Sequence, residues 1–277
     1  MPIIAITREM GSLGKDVARG LGDELGLPVI YHEVIDHLAD RMRVRKSHVI
    51  RLLDGSAGLF ERLTADRTSL AIYTADEIYG LAASCGDKGG AIIRGWGATH
   101  LLREVPHAVC VRVCAPFEVR KRRMMERLGS DDDVRIADEI RVNDEAHTAI
   151  VRRHFGVQWT EPEHYDVVLN TQRVSVDECV SEVLALARAP QFEETDGSRA
   201  QLADLALAAR VRAALRRAPE TRAARVHVGC AGGRITLSGA SSTDEMLSFV
   251  EVASAVAGVR DVAYRTNPGE ELRPRLH

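Results

Sequence analysis

The stretch ITREMGSLGKDVARGL, residues 6–21, limits the fold more than any other part of the chain. It follows the apolar start MPIIA and reads as a buried strand, a turn of small residues, a lysine and then an amphipathic helix. Val17, Leu21 and Leu25 fall at helical spacing, and Gly26 ends the helix. A glycine-rich turn opening a helix aims backbone N–H groups at an anion, and the helix dipole favours the negative charge. Gly11, Ser12, Leu13 and Gly14 are the expected nest, and Lys15 is the residue expected to reach the β and γ phosphates of a nucleotide. Two positions depart from the usual phosphate-loop pattern. Glu9 replaces its leading glycine, and Asp16 replaces the Ser or Thr whose hydroxyl normally meets Mg2+. A carboxylate is a good Mg2+ ligand, which makes Asp16 the candidate metal residue, although there it also repels phosphates. The competing reading is a tight strand-to-helix turn with a solvated lysine.

Residues 1–188 alternate strand-like and helix-like patterns. The strands are IIAI, LPVIY, GGAIIRG, HAVCVRVCA and YDVVLNT; the fourth is nearly continuous in apolar residues, as a doubly covered parallel strand is. Ser175 and Glu178 predict a capping box on the closing helix. Strands separated by helices imply an α/β fold with a parallel sheet and ligands at the carboxyl ends of its strands. APQFEETDGSRAQ, residues 189–201, reads as a linker. Residues 202–267 follow in the order α-β-β-α-β, a small α+β domain, and 268–277 read as a flexible tail.

The formal charge of −3 gives no overall pull toward nucleic acid, and no run nears the roughly 18 apolar residues that span a bilayer. No secretory signal is read at the amino terminus. Five scattered cysteines (Cys85, Cys110, Cys114, Cys179 and Cys230) without neighbouring histidine ligands read as free thiols in a reducing cytoplasm, not as a zinc site.

Three blocks, ITREMGSLGKDVARGLGDELGLPVIYHEVID, AIIRGWGATHLL and YDVVLNTQRVSVDECVSEVL, resemble in order the S/T-R-E-x-G-S-x-G loop, the mid-chain GRG block and the final YDLVLNT block of the cytidylate kinase-like family of P-loop proteins. The resemblance covers residues 1–188. It implies a nucleoside-monophosphate-kinase fold, with an acceptor-binding helical region, an arginine-bearing lid and ATP-dependent phosphoryl transfer to a small nucleotide acceptor, using Mg2+. That chemistry rests on positioning and on cancelling charge. Arg120, Arg123 and Arg127 lie on one helix face where such kinases carry arginines entering the lid. Arg141, Asp144, Thr148 and Arg152 share another face, with Arg153 beside it, and R-x-x-D followed by arginine resembles the lid of the cytidylate kinases. Arg94 occupies a displaced position in the GRG block and Trp96 takes the arginine's slot, so Arg94 is expected at the acceptor phosphate and Trp96 against a base, with packing the alternative for either. Asp36 and Arg67 fall in the implied acceptor region. No acidic residue ends the AIIRG strand.

VHVGCAGGRITLSGASSTDEMLSFVEVASAVAGVRDVAYRT resembles a BON domain, through Leu237-Ser238-Gly239 and Gly258-Val259 before VRDV. The resemblance implies phospholipid contact or small-ligand binding. With no export signal read here, intracellular ligand sensing or a protein contact is the expected use rather than a membrane, the alternative being a dimerising (homo-oligomer) or stabilising module. Two functions follow, a cytoplasmic nucleotide kinase or a catalytically weak nucleotide sensor that signals through the BON-like domain; against a third, a structural protein in which both domains serve assembly, stand Lys15 and the arginine set.

Overall fold

The computed structural model describes residues 2–53, 67–85, 90–95, 97–223, 226–239 and 242–265. By its contacts the chain forms two units, residues 1–66 with 84–195, and residues 67–83 with 196–277.

The first unit is built on five strands, β1 (Ile3–Arg8), β2 (Val29–Ile30), β3 (Ala91–Arg94), β4 (Ala108–Cys114) and β5 (Val167–Asn170), all parallel, in the order β2-β3-β1-β4-β5. β1 and β4 are apolar at almost every position because helices cover both faces. On one face α1 (Gly14–Leu25) and α8 (Val176–Ala187) bring Val17, Leu21, Val180 and Val183 onto Ile4, Ile6, Val111 and Val113. Each of these helices is ended or begun by the chemistry its sequence carries. Gly26 closes α1 at φ 64°, with Leu27 N donating to Gly22 O, and the Ser175–Glu178 capping box opens α8. The other described helices of this unit are α2 (His32–Met42), α3 (Lys46–Leu53), α5 (Ala98–Leu102), α6 (Phe117–Leu128) and α7 (Asp133–Phe155). Residues 129–132 alone join α6 to α7, so the implied lid is a tight turn, with Asp132 capping α7 through Arg135 N. From β1 the chain runs outward to β2 and back through β3, then crosses to β4. The carboxyl end of β1, which carries the loop, thus lies at the crevice between oppositely directed crossovers.

The second unit holds α9 (Asp196–Arg217), α10 (Thr243–Ser254) and a three-stranded sheet, β6 (His227–Ala231), β7 (Arg234–Ser238) and β8 (Asp261–Arg265), with β6 antiparallel and β8 parallel to β7. The α-β-β-α-β order is the expected one. α9 begins inside the stretch read as a linker, which also contains a 3-10 turn at Pro190–Phe192. The Asp204 carboxylate accepts hydrogen bonds from Gly232 N and Gly233 N at 2.8 and 3.2 Å, and so ties α9 to the β6–β7 turn. This unit also contains α4 (Arg67–Ser84), a helix from the middle of the chain. α9 is buried along two stripes. Leu207, Ala208, Val211 and Leu215 enter the core over the sheet, while Leu202, Ala206, Ala209 and Ala213 are buried outside it. Arg216, one turn beyond Ala213, donates from Nε to Ser69 Oγ of α4 at 2.7 Å. No described helix is long and apolar enough to cross a membrane.

Candidate active site

The backbone after β1 cannot continue the sheet. Gly11 takes φ 80° and Leu13 φ 61°, and the chain turns into α1 at Gly14. Gly11 is required twice over. Its φ is in the left-handed region, and a Cβ there would stand 2.7 Å from the Arg120 carbonyl oxygen. Ser12 faces inward: its N donates to Glu9 O, its Oγ donates to Val113 O at 3.0 Å, and its carbonyl accepts from Thr171 Oγ1 at 2.8 Å. Around it, among the described residues, the amides of Gly11, Leu13, Gly14 and Lys15 make no hydrogen bond within the chain, and the exposed Lys15 ammonium has no ion pair. A turn with four unfilled amides at a helix N-terminus, next to an unpaired lysine, has the chemistry to take an anion.

These groups line a cleft of about 730 Å³ whose described walls carry six cationic side chains, Arg8, Lys15, Arg19, Arg94, Arg123 and Arg127, against three acidic ones, Glu9, Asp16 and Glu126. Arg8 ends β1 and Arg94 ends β3. The Arg94 guanidinium lies 3.8 Å from the centroid of the Tyr31 ring, which follows β2. Arg123 and Arg127 come from successive turns of α6 and face the loop across the cleft.

Glu9, the departure from the usual pattern, fastens the end of β1 to β4. Its Oε1 accepts from Arg112 Nη2 at 2.6 Å and its Oε2 from Ala115 N at 3.1 Å, while its own N donates to Val113 O. Asp16 lines the cleft with Oδ1 accepting from Arg19 Nη2 at 2.8 Å.

The other expected residues are placed as follows. Arg120 is buried and turned away from the cleft, donating to Ala115 O, Met10 O and both oxygens of Asp144. Arg141 is exposed on α7, paired to Asp138 at 3.2 Å and lying over the Phe117 ring. Arg152 and Arg153 are exposed near the end of α7 and do not line the cleft. Thr148 accepts from Trp159 Nε1 and donates to Asp144 O. Asp36 pairs with Lys46 at 2.7 Å on α2 and is not a wall of the cleft. Trp96 and the Arg67 side chain lie outside the described residues, and the backbone of Arg67 opens α4 in the second unit. The sequence reading passed over Arg8, Arg19, Tyr31 and Thr171. Arg8, Tyr31 and Thr171 sit at or just past a strand's carboxyl end, the signal by which they are found; Arg19 is one turn beyond Lys15.

Behind the cleft, His147 of α7 is half-buried with Nε2 3.4 Å from Thr7 Oγ1 and its ring edge against Trp159, centroids 4.2 Å apart. Burial first, then the neighbouring His100, Arg8 and Arg112, pushes its pKa down to about 4. All five cysteines are free, and burial pushes the Cys110 thiol far up, which keeps it protonated. The ligand atoms of Glu161, Glu163 and His164 come within 4.8 Å of one another, yet both ring nitrogens of His164 are engaged, by Arg103 at 3.1 Å and Glu161 at 3.2 Å.

An open parallel sheet with an unfilled amide loop and lysine at the end of its central strand defines a P-loop protein of kinase-like fold. The chain belongs to the cytidylate kinase-like family, matched over residues 3–173, and residues 203–266 match the BON domain. Among solved structures it is similar to an uncharacterised protein of Eubacterium ventriosum ATCC 27560, at 20% identity over 68% of this chain and 99% of that one with a TM-score of 0.53. Others are a sugar kinase of Janibacter sp. HTCC2649 (16% identity, 70% and 99% covered, TM-score 0.43) and TT1252 of Thermus thermophilus (20%, 68% and 99%, 0.42). No curated protein sequence matches the chain.

Proposed function

We propose that this protein transfers the γ-phosphoryl group of ATP to a small, nucleotide-like acceptor that itself carries a phosphate. The observation that carries the reading is the set of four unpartnered amides beside the unpaired Lys15 at the mouth of the cation-lined cleft. The loop amides and Lys15 take the β and γ phosphates. Arg123 and Arg127 face the group in transfer, where an arginine is worth on the order of 10³–10⁵ in rate, and Arg94 with Tyr31 forms the acceptor wall. An acceptor phosphate oxygen attacks the γ phosphorus as the bond to the β–γ bridging oxygen breaks, and ADP leaves. A phosphate oxygen is already ionised and needs no general base. This matches a cleft whose inner carboxylates, Glu9 and Asp16, are both held by arginines; a hydroxyl acceptor would call for a free one.

Mg2+ characteristically binds through one or two carboxylates plus substrate phosphates. Asp16 Oδ2, which has no partner among the described residues, fits that role for an ion arriving on the nucleotide, where it would offset phosphate charge. The pairing of Asp16 with Arg19 supports a second reading, a nucleotide sensor with weak turnover that signals through the BON domain.

A thermal-shift panel of nucleotides followed by an ADP-release assay with nucleoside monophosphates tests both. Stabilisation by MgATP that is lost in Lys15→Ala, with acceptor-dependent ADP release, supports the kinase. Stabilisation without release supports the sensor, and no stabilisation by any nucleotide rejects both.

A further inference from the structure

We infer that Thr171 is a positioning residue, one buried hydroxyl that fixes both the phosphate loop and the Arg123 guanidinium that faces it. This deepens the reading of the cleft as a polyphosphate site and rests on it. Thr171 follows β5 and is 2% exposed, and its N donates to Cys114 O at 3.0 Å, which extends the β4–β5 ladder by one residue.

Its side chain then serves two directions. A hydroxyl has one proton and two lone pairs. The proton goes to Ser12 O at 2.8 Å rather than to Cys114 O at 3.4 Å, and a lone pair accepts from Arg123 Nη1 at 3.0 Å. The Thr171 carbonyl accepts from Arg123 Nη2 at 2.7 Å. Both terminal nitrogens of Arg123 are thereby fixed on one residue, so the planar fork is held in a single orientation while its remaining N–H groups stay available along the cleft. On the other side, the bond to Ser12 O completes the anchoring of Ser12, whose N and Oγ are already committed to Glu9 O and Val113 O. With the inner residue pinned at all three polar groups, the flanking amides of Gly11 and Leu13 keep their open presentation. Valine at 171 would keep the volume and lose both side-chain bonds; serine would keep both.

Calorimetric titration of the full chain with MgATP tests this on wild type, Thr171→Val, Thr171→Ser, Arg123→Ala and the Thr171→Val/Arg123→Ala double variant, with the melting temperature of each recorded. Losing a buried bond to a charged group weakens binding about tenfold. We expect about that loss in Thr171→Val and in Arg123→Ala. Thr171→Ser should stay near wild type, and the double variant should be much less than additive because the two residues act as one unit. Thr171→Val that melts lower yet binds MgATP as wild type does, or single losses that simply multiply in the double variant, would overturn the inference while leaving the kinase-like reading intact. Should the valine variant not fold, Thr171→Cys, a poor donor of similar size, takes its place with the same expected loss. Wild-type protein that takes up no MgATP removes both the inference and the reading beneath it.

Discussion

Arg120 grips Asp144 with both terminal nitrogens, Nη2 at 2.8 Å from Oδ2 and Nη1 at 3.2 Å from Oδ1, which joins α6 to α7 directly behind the phosphate loop. The same guanidinium donates to Met10 O and Ala115 O and stands 3.4 Å from Glu9, so it supports the loop from behind. The pair is partly buried, and Glu9 stays beside Arg120 when Asp144 is removed. The loss is therefore that of bonds to a charged group, about 1.5–3 kcal/mol, rather than that of an uncompensated buried charge. Asp144→Ala is expected to lower unfolding stability by about that amount in urea titrations. Arg120→Ala should match or exceed it, and the double variant should fall well short of the sum. Additive losses would show that the two side chains do not work together.

Gly11→Ala places a methyl against the backbone carbonyl of Arg120 and forces a left-handed φ on a residue with a Cβ. Strain of this kind costs about 1–3 kcal/mol. The expected result is a lower melting temperature together with loss of MgATP stabilisation, because the loop can relieve the clash only by moving the amides. A variant melting lower but still fully stabilised by MgATP would separate the loop's conformation from binding.

The half-buried His147 is expected to make the fold acid-sensitive in a defined window. Its folded pKa, about 4, lies below the ordinary histidine value of 6.5, so the unfolded chain binds the proton first as pH falls. Its contribution is complete above pH 6.5 and is lost between there and about pH 4, a change on the order of 3 kcal/mol. His100, also held near 4 chiefly by burial, acts in the same direction. Stability measured from pH 7 to pH 5 should therefore decline in wild type and decline about half as steeply in His147→Gln. An unchanged slope would assign the acid sensitivity elsewhere.

Much of this architecture is legible in the residues themselves. Continuous apolar runs mark β1 and β4, Gly26 and the Ser175–Glu178 pair mark helix ends, and the Leu-Ser-Gly and Gly-Val steps mark the small domain. The arginines were harder to read because helical spacing identifies a face without saying what the face meets. Arg120 and Arg123 are three residues apart, yet one is drawn inward by Asp144 and Glu9 while the other reaches Thr171 at the cleft wall. Both carboxylates that decide the difference come from elsewhere in the chain. Glu9 looked like a defect in the loop for the same reason, since its partners Arg112 and Ala115 belong to the end of β4 and the residue after it.

Because α4 belongs by its contacts to the unit formed with residues 196–277, a cut between the two family matches does not separate two self-contained pieces. A protease site introduced at Glu193–Thr195 should yield two fragments that still co-elute on size exclusion, held by the helix the first fragment contributes. Fragments that elute apart, each with native circular dichroism, would show that α4 is dispensable to the C-terminal unit.

During synthesis α4 leaves the ribosome more than a hundred residues before α9, the helix whose Arg216 it meets through Ser69. At ordinary elongation rates that delay is on the order of ten seconds. For that interval the nascent chain carries a helix whose partner helix α9 is not yet made. A chain stalled before residue 196 would therefore hold α4 without the partners that its contacts give it in the finished protein, a state that chaperones and proteases act on.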